Sequence, residues 1–172
     1  CVAFYASNYF SKYSVEDNCF LGSVDIGFGA WNTFVFTSDS KKAYAVDWSG
    51  SGRIAFIDVE NMTAVVYTFG FTYPHGSALN ATEDTLYVTG SIGNYIYKIP
   101  VNDPFNYQQV NFTGGQHNFH DVLFSPDGSK YFLTGQNTNV VLVVNTADDS
   151  IIATVPVGYY PQELALSLDR PY

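Results

Sequence analysis

The sequence predicts an all-β protein built from repeated antiparallel sheets, and three observations carry this prediction. Aromatic residues make up 17% of the chain and charged residues only 13%, a balance that is typical of strands rather than of surface helices. Apolar runs of strand length alternate with turns rich in Gly, Asn, Asp and Ser. A polar turn followed by an aromatic strand also recurs at a nearly constant spacing, which indicates a repeat architecture.

The repeat is measured on the aromatic residue that follows each polar turn. Tyr44 and Tyr87 are 43 residues apart, Tyr87 and Phe132 are 45 residues apart, and a fourth copy of the turn begins at Ser167. The third unit contains four predicted strands, at residues 122–124, 130–134, 140–144 and 151–157. Turn residues separate these strands, so we predict an up-and-down antiparallel sheet of four strands in each unit.

A single four-stranded sheet cannot bury both of its faces, so neighbouring sheets must stack. Four strands in about 40 to 45 residues are what one blade of a β-propeller requires. We therefore expect a single propeller region over residues 1–172. Its blades are predicted at residues 1–29, incomplete with strands near 2–6, 12–15 and 20–26, then at 30–73, 74–116 and 117–160, with residues 161–172 as the first strand of the next blade.

Two stretches carry a family resemblance. One is Leu86-Tyr87-Val88-Thr89-Gly90, which resembles the Tyr-Val-Thr-Asn signature and departs from it at the last residue. The other is residues 139–158 followed by Pro161, which is similar to the rest of that repeat almost position for position. The chain thus resembles YVTN-family β-propellers, well over residues 30–172 and loosely over 1–29. This resemblance implies a cell-surface or secreted protein.

The two ends of the chain complement each other in this interpretation. Joining Tyr172 to Cys1 gives a sequence that reads like an ordinary repeat. Two arrangements fit: a closed ring of four blades sealed by strands from both termini, or a window of a longer array. We favour the window, because rings with more blades are commoner in families that resemble this one.

The charge and hydropathy of the chain limit the classes of partner that we expect. The net charge is −9, with 7 Lys and Arg and no basic cluster, so nucleic acid and anionic lipid are not expected as partners. The longest aliphatic run, residues 140–144, is far shorter than the roughly 20 residues of a membrane helix. Three Asn-x-Thr sequons, at Asn61, Asn80 and Asn111, are glycosylation candidates and are compatible with the expected extracellular location.

The two cysteines are Cys1 and Cys19. A disulfide between them is the first expectation, but the predicted strands place them about 9.5 Å apart, across one intervening strand, whereas a disulfide requires Cα atoms within about 7 Å. We therefore expect each to be a buried thiol. A lipidated Cys1 is the less favoured alternative, because a strand-like segment follows it.

Aligning the repeats brings unlike residues to two successive positions just before the innermost strand of each blade, at the mouth of the central channel. The first position holds Asn32, His75, His120 and Gln162, and the second holds Thr33, Gly76, Asp121 and Glu163. Of these, the site candidates are Asn32, His75, His120, Asp121, Gln162 and Glu163. Polar residues line such a water-filled channel in any case, which is the favoured interpretation. The sharper hypothesis is a ligand or divalent metal site, because imidazole and carboxylate suit a borderline metal or acid and base chemistry. His117, in the preceding loop, is within reach of the same mouth but is expected to be a solvated loop residue.

The chain has no haem-attachment, phosphate-loop or nucleophile-elbow motif, and no cofactor is predicted. Most aromatic residues are expected to pack between blades. Those expected to be exposed in loops are candidates for recognition: Trp48, Tyr73, Phe105, Tyr107, Tyr159 and Tyr160.

The leading hypothesis for function is a non-enzymatic extracellular module that binds a protein or a glycan within a larger surface assembly. Propellers similar to this one include lactonases and quinone- or haem-dependent oxidoreductases, so an enzyme that uses the channel mouth is the alternative. A third hypothesis is a structural repeat in a filament or surface layer, whose partners are copies of itself. Fold alone does not choose among them.

Overall fold

A computed structural model describes residues 2–3, by their backbone, 7–29 and 34–167. Contacts divide the chain into two compact units, unit 1 at residues 1–75 and unit 2 at 76–172. The described residues form antiparallel strands and one short 3-10 helix, Gln136–Thr138. None of their helices has the length and apolar character needed to cross a bilayer. Cys1 and Asn32, two residues with predicted roles, lie outside the described residues.

Unit 1 contains sheet A and sheet B, each with its strands in chain order. The strands of sheet A are β1 Val2–Ala3, β2 Tyr9–Tyr13 and β3 Phe20–Asp25. Those of sheet B are β4 Phe34–Phe36, β5 Lys42–Val46, β6 Arg53–Asp58 and β7 Thr63–Thr68.

The core of unit 1 lies between these two sheets. Phe10, Ile26 and Phe28 pack against small and aliphatic residues of sheet B, among them Ala45 and Ala55. An ion pair beside sheet B positions Arg53 at this contact: Arg53 Nε donates to the buried carboxylate of Asp47 at 2.6 Å. The same guanidinium donates to the carbonyl of Gly27 at 2.9 Å and lies 5.1 Å from the centroid of the Phe28 ring.

Sheets C and D make up unit 2, apart from the first two residues of sheet C. The strands of sheet C are β8 Pro74–Leu79, β9 Thr85–Gly90, β10 Tyr95–Pro100 and β11 Gln108–Asn111. Those of sheet D are β12 Phe119–Phe124, β13 Lys130–Gly135, β14 Val140–Asn145 and β15 Ile151–Pro156.

The core of unit 2 forms where one face of sheet C packs on one face of sheet D. Tyr87 is central to it, with its ring edge-on to Phe124 at 4.8 Å and 5.3 Å from Tyr131. Beside these rings, Lys98 Nζ lies 2.5 and 2.7 Å from the two carboxylate oxygens of Asp149, and the Tyr131 hydroxyl donates to the same carboxylate at 2.9 Å. Burial raises the pKa of Tyr131, and the negative charge of Asp149 adds to this effect.

The polar turns that define the repeat share one structure. Thr37, Asn80 and Ser125 begin the three turns, and the side-chain oxygen of each accepts a hydrogen bond from the backbone N–H five residues later, at 3.1 Å in every case. The residue three positions after each has a positive φ: Ser40 at 58°, Glu83 at 56° and Gly128 at 68°. This geometry explains why polar residues recur at the period of the fold.

The architecture confirms the predicted fold class of all-β, four-stranded antiparallel sheets, with a three-stranded first sheet. One predicted strand, residues 12–15, is displaced to Tyr9–Tyr13, because the hairpin closes with Ser14 N donating to Cys19 O at 2.8 Å and leaves Val15 exposed in the turn. The prediction that Cys19 is buried is wrong, since it follows this turn and is exposed. Described residues 161–167 are not assigned to a strand.

Candidate functional site

Four of the predicted site residues lie in unit 2, where β12 begins sheet D. The pairing of β12 with β13 shifts between Phe119 and Val122, so His120 and Asp121 occupy a β-bulge. Bulges redirect side chains at the edges of sheets. Gln162 and Glu163 lie in the segment that runs past this bulge, and the Gln162 carbonyl accepts a bond from His120 Nδ1 at 3.2 Å. The structure therefore brings His120, Asp121 and Gln162 together.

A buried threonine connects the first strand of each sheet in unit 2 to the segment that follows one repeat later. Thr134 Oγ1 accepts from the Asp121 N–H at 2.9 Å and donates to the Gln162 carbonyl at 2.9 Å. One repeat earlier, Thr89 Oγ1 accepts from the Gly76 N–H at 2.8 Å and lies 3.1 Å from the His120 carbonyl, to which it donates. Both threonines are 0% exposed. Each hydroxyl thus satisfies a backbone donor and a backbone acceptor at once.

The first strands β8 and β12 carry different residues at the equivalent position for a steric reason. A Cβ atom placed on Gly76 would lie 2.5 Å from the His120 carbonyl oxygen and 2.6 Å from the Cα of Asp121. Glycine therefore permits the backbone of β12 to approach sheet C. At the equivalent Asp121, the carboxylate instead accepts from the backbone N–H of Leu164 at 2.8 Å and of Val122 at 2.9 Å.

The electrostatics of His120 are set by burial and by the Gln162 carbonyl. Burial lowers the pKa of His120, while its hydrogen bond to Gln162 and the charge of Glu163 oppose that shift. A carbonyl can only accept, so Nδ1 carries a proton and the neutral imidazole has its acceptor at Nε2. Burial likewise raises the pKa of Asp121, against the bonds from Leu164 and Val122.

His75 belongs to unit 1, where it is buried. Its ring lies edge-on to Trp48 at 6.5 Å, and Trp48 packs on Tyr73 at 5.9 Å. Trp48 and Tyr73 are half-buried in this cluster, which corrects their description as exposed loop aromatics. The convergence of His75 with the unit 2 residues stays a prediction. Within the described part of the chain, no three His, Cys, Asp or Glu side chains are arranged to hold a metal ion.

His117 was expected to be solvated, and this expectation is wrong. Its ring is buried and stacks on Phe119, with centroids 5.2 Å apart and planes 14° apart. Nδ1 lies 2.7 Å from Thr138 Oγ1, and Nε2 lies 3.3 Å from the Thr113 carbonyl. The Asn94 side chain also accepts from the His117 N–H at 2.5 Å. His117 therefore fixes the loop between β11 and β12.

The comparisons with known proteins bear on the fold. No protein-family model matches the sequence, and the search of curated proteins gives no match. The structure is similar to Kuenenia stuttgartiensis hydrazine synthase, with a TM-score of 0.71 and 17% identity over 86% of this chain and 43% of that chain. It is also similar to a chain in the crystal structure of a nidogen/laminin complex, with a TM-score of 0.65 and 16% identity over 80% of this chain and 49% of that one.

These neighbours have β-propeller-type folds, and so does this chain. The chain spans less than half the length of either neighbour. At such low identity the likeness shows the fold alone, and one of the two neighbours is an enzyme while the other is part of a complex.

The other predicted recognition aromatics are exposed. Phe105 is 65% exposed and Tyr159 89%, and the rings of Tyr159 and Tyr160 lie 5.9 Å apart. Tyr107 packs edge-on to Tyr97 at 5.9 Å and keeps part of its ring in solvent. The Tyr159–Tyr160 pair follows directly after β15.

One apolar surface was not predicted from the sequence, and we name it the far face of sheet D. Strand register places six side chains on the side of sheet D that faces away from sheet C: Leu123, Phe132, Val141, Val143, Ala153 and Val155. The corresponding face of sheet C is covered by sheet D, so that Ile96 is 0% exposed, whereas Val155 is 45% exposed. Successive side chains of a strand point to opposite faces of its sheet, so the sequence of β14 could reveal this surface only after the face that contacts sheet C was known.

Proposed function

We propose that this chain is a non-enzymatic, extracellular scaffolding module that binds protein through the faces of its sheets, within a larger surface assembly. The far face of sheet D is the observation that carries the proposal. Of its six side chains, Ala153 and Val155 are exposed and the other four are half-buried. Contiguous apolar surfaces that reach solvent are typical of interaction sites in soluble proteins. The edge strand β15, which contributes Ala153 and Val155 to this face, is exposed at every position.

The partner that fits this surface is a second copy of the repeat. In unit 2, the face of sheet C that carries Tyr87 and Thr89 is buried by a four-stranded sheet of the same kind. The far face of sheet D carries Phe132 and Thr134 at the equivalent positions, 45 residues later. A sheet of the same repeat thus presents the matching pattern of apolar side chains.

Two further observations support a binding role. The resemblance to YVTN-family repeats implies a cell-surface or secreted protein, and one structural neighbour was crystallised as a nidogen/laminin complex. In addition, His120 and Asp121 bond to backbone groups of residues 162 and 164, which favours a structural role for them over catalysis. For this reason we do not favour the enzymatic alternative.

The test is self-association measured by sedimentation velocity over a range of concentrations. We expect association of the unmodified chain and at least tenfold weaker association of Val155→Lys, because the substitution places a charge in the apolar contact. Ile92→Lys is the matched control, since Ile92 is 55% exposed in the turn between β9 and β10. A chain that stays monomeric at every concentration, or an equal effect of the two substitutions, would contradict the proposal.

The extracellular location is tested on the protein from its natural source. Treatment with an amidase that removes N-linked glycans should increase its electrophoretic mobility. Asn111 is the sequon most accessible in the fold, because Asn61 and Asn80 use their side-chain amide N–H groups to bond Asp58 and Asp84, respectively. An unchanged mass for all three asparagines would remove this support for secretion.

A further inference from the structure

Unit 1 contains a cleft that none of the sequence motifs indicated. Its volume is about 510 Å³, which lies within the range of small-molecule sites in proteins. The walls come from β2, from the turn between β4 and β5, and from the turn between β6 and β7. All of the lining residues belong to unit 1, so this cleft shares no residue with the surface of unit 2 proposed above for protein binding.

Lys12 places in the cleft an ammonium group that no carboxylate of the described residues contacts. Its half-buried ammonium donates one hydrogen bond, to the Val59 carbonyl at 3.1 Å, and this bond fixes the charged group in the wall. An ammonium has three donors, so two remain to bind other groups. None of the ion pairs among the described residues includes Lys12. A fixed cation without a carboxylate partner favours a ligand group of negative charge.

The other charged residues of the cleft have partners of their own. Lys41 Nζ lies 3.4 Å from Glu60 Oε2. The Asp39 carboxylate accepts from the Thr37 hydroxyl at 2.7 Å and from the Lys41 N–H at 3.0 Å, and these bonds hold the pKa of Asp39 below its usual value. The lining carries two lysines and two carboxylates, Asp39 and Glu60, so it has no net charge. Lys12 is the lysine among them that neither carboxylate contacts, and a carboxylate of a ligand would fill that place.

The remaining walls suit a ring with hydroxyl groups. Phe36 and Tyr13 keep more than a third of their surface in solvent. Both rings are held by aromatic neighbours, Phe36 by Phe10 at 6.2 Å and Tyr13 by Phe20 at 5.5 Å. Aromatic faces pack against apolar C–H surfaces, while the turn residues around them supply hydroxyl and carboxylate groups that bond hydroxyls.

We propose that this cleft binds a carboxylated sugar, such as a hexuronic acid. The Lys12 ammonium binds the sugar carboxylate, Phe36 and Tyr13 contact the C–H face of the ring, and Ser40 with Asp39 binds its hydroxyl groups. The chain would then recognise an acidic glycan through unit 1, whether or not it assembles through the far face of sheet D.

The experiment is a titration of the purified chain with glucuronate, followed by amide NMR shifts, with glucose and benzoate as comparison ligands. We expect saturable binding of glucuronate with shifts at Lys12, Ser40 and Glu60, and binding of both comparison ligands at least tenfold weaker. Lys12→Met should weaken glucuronate binding about tenfold or more, and Lys12→Arg should restore most of it. Lys42→Met is the matched control, because Lys42 is an exposed lysine of the adjacent strand that does not line the cleft.

Several results would overturn the proposal. They are no saturable shift at high glucuronate concentration, equal binding of benzoate, and a Lys12→Met variant that binds as the unmodified chain does. Methionine fits a half-buried lysine site, and unchanged amide spectra outside the cleft show that the variant is folded. Since the Val155→Lys substitution leaves the cleft untouched, its effect on self-association is measured separately from sugar binding.

Discussion

Replacing Thr89 by Val tests whether the buried threonine hydroxyls hold sheets C and D together. Valine keeps the shape of the side chain but removes an oxygen that is 0% exposed. The Gly76 N–H then loses its acceptor at 2.8 Å, and the His120 carbonyl loses a donor at 3.1 Å. Leaving a buried donor unsatisfied costs about 1 to 3 kcal/mol, so we expect a loss of about 2 kcal/mol in the free energy of unfolding.

The assay is urea denaturation followed by circular dichroism, with two control substitutions. Thr89→Ser keeps the hydroxyl and loses one methyl group, so it should cost about 1 kcal/mol. Thr154→Val lies on the exposed strand β15 and should change stability by less than about 0.5 kcal/mol. In thermal unfolding, the loss for Thr89→Val corresponds to about 4 to 8 °C in Tm for a chain of this size.

The order of stability of the three variants decides whether the hydroxyl of Thr89 stabilises the fold. If Thr89→Val is as stable as the unmodified chain, or more stable than Thr89→Ser, the hydroxyl contributes no net stabilisation. The two backbone groups would then find other partners, and the role assigned to Thr134 one repeat later would fail with it.

Three further predictions concern other parts of the fold. Lys98→Met should lower the free energy of unfolding by about 2 kcal/mol, because it leaves a largely buried carboxylate without its cation, whereas Lys41→Met, in an exposed pair, should cost less than about 1 kcal/mol in the same urea assay. Gly52 and Gly70 both have positive φ, and Gly52→Ala should destabilise the chain more, since its Cβ would collide with the backbone nitrogen of Phe71. The Cβ of Gly70→Ala would have open space, so that variant should lose about 1 kcal/mol in the free energy of unfolding. Equal melting temperatures for the two variants would contradict this prediction. Hydrogen bonds from neighbouring serine groups lower the pKa of Asp127 to about 2. Its contribution to stability is therefore complete above the ordinary pKa of 3.8 and is lost as pH falls towards about 2. NMR titration of the carboxyl carbon checks the value, and a midpoint near 3.8 would refute it.

The fold could be predicted because its signals are local. Thr37, Asn80 and Ser125 each close a turn through a bond to a residue five positions away, so the same polar residues recur in sequence wherever the hairpin recurs in space. Alternating apolar residues then give the strands between the turns. These interactions span few residues, and a single sequence contains all the information they need.

The candidate site depended on contacts that sequence spacing does not reveal. The alignment of repeats correctly paired Gly76 with Asp121, but it could not show that the position faces a backbone carbonyl in one repeat and a backbone N–H in the other. His117 was misjudged for the same reason, because its burial depends on Thr138 and Asn94, each more than 20 residues away. Long-range partners, rather than residue type, decide whether a histidine is solvated or packed.

The polar residues that suggested a ligand site have a structural task in unit 2, and this changes where function should be sought. His120 and Asp121 bond to the backbone of residues 162 and 164, and Thr134 joins the same segment to sheet D. These bonds make both residues part of the backbone framework at the start of sheet D. Lys12 also bonds a backbone carbonyl, that of Val59, but its ammonium keeps two further donors and lies in the wall of a cleft. Since no three His, Cys, Asp or Glu side chains among the described residues are arranged to hold a metal ion, the far face of sheet D and the cleft at Lys12 are the better places to test for recognition.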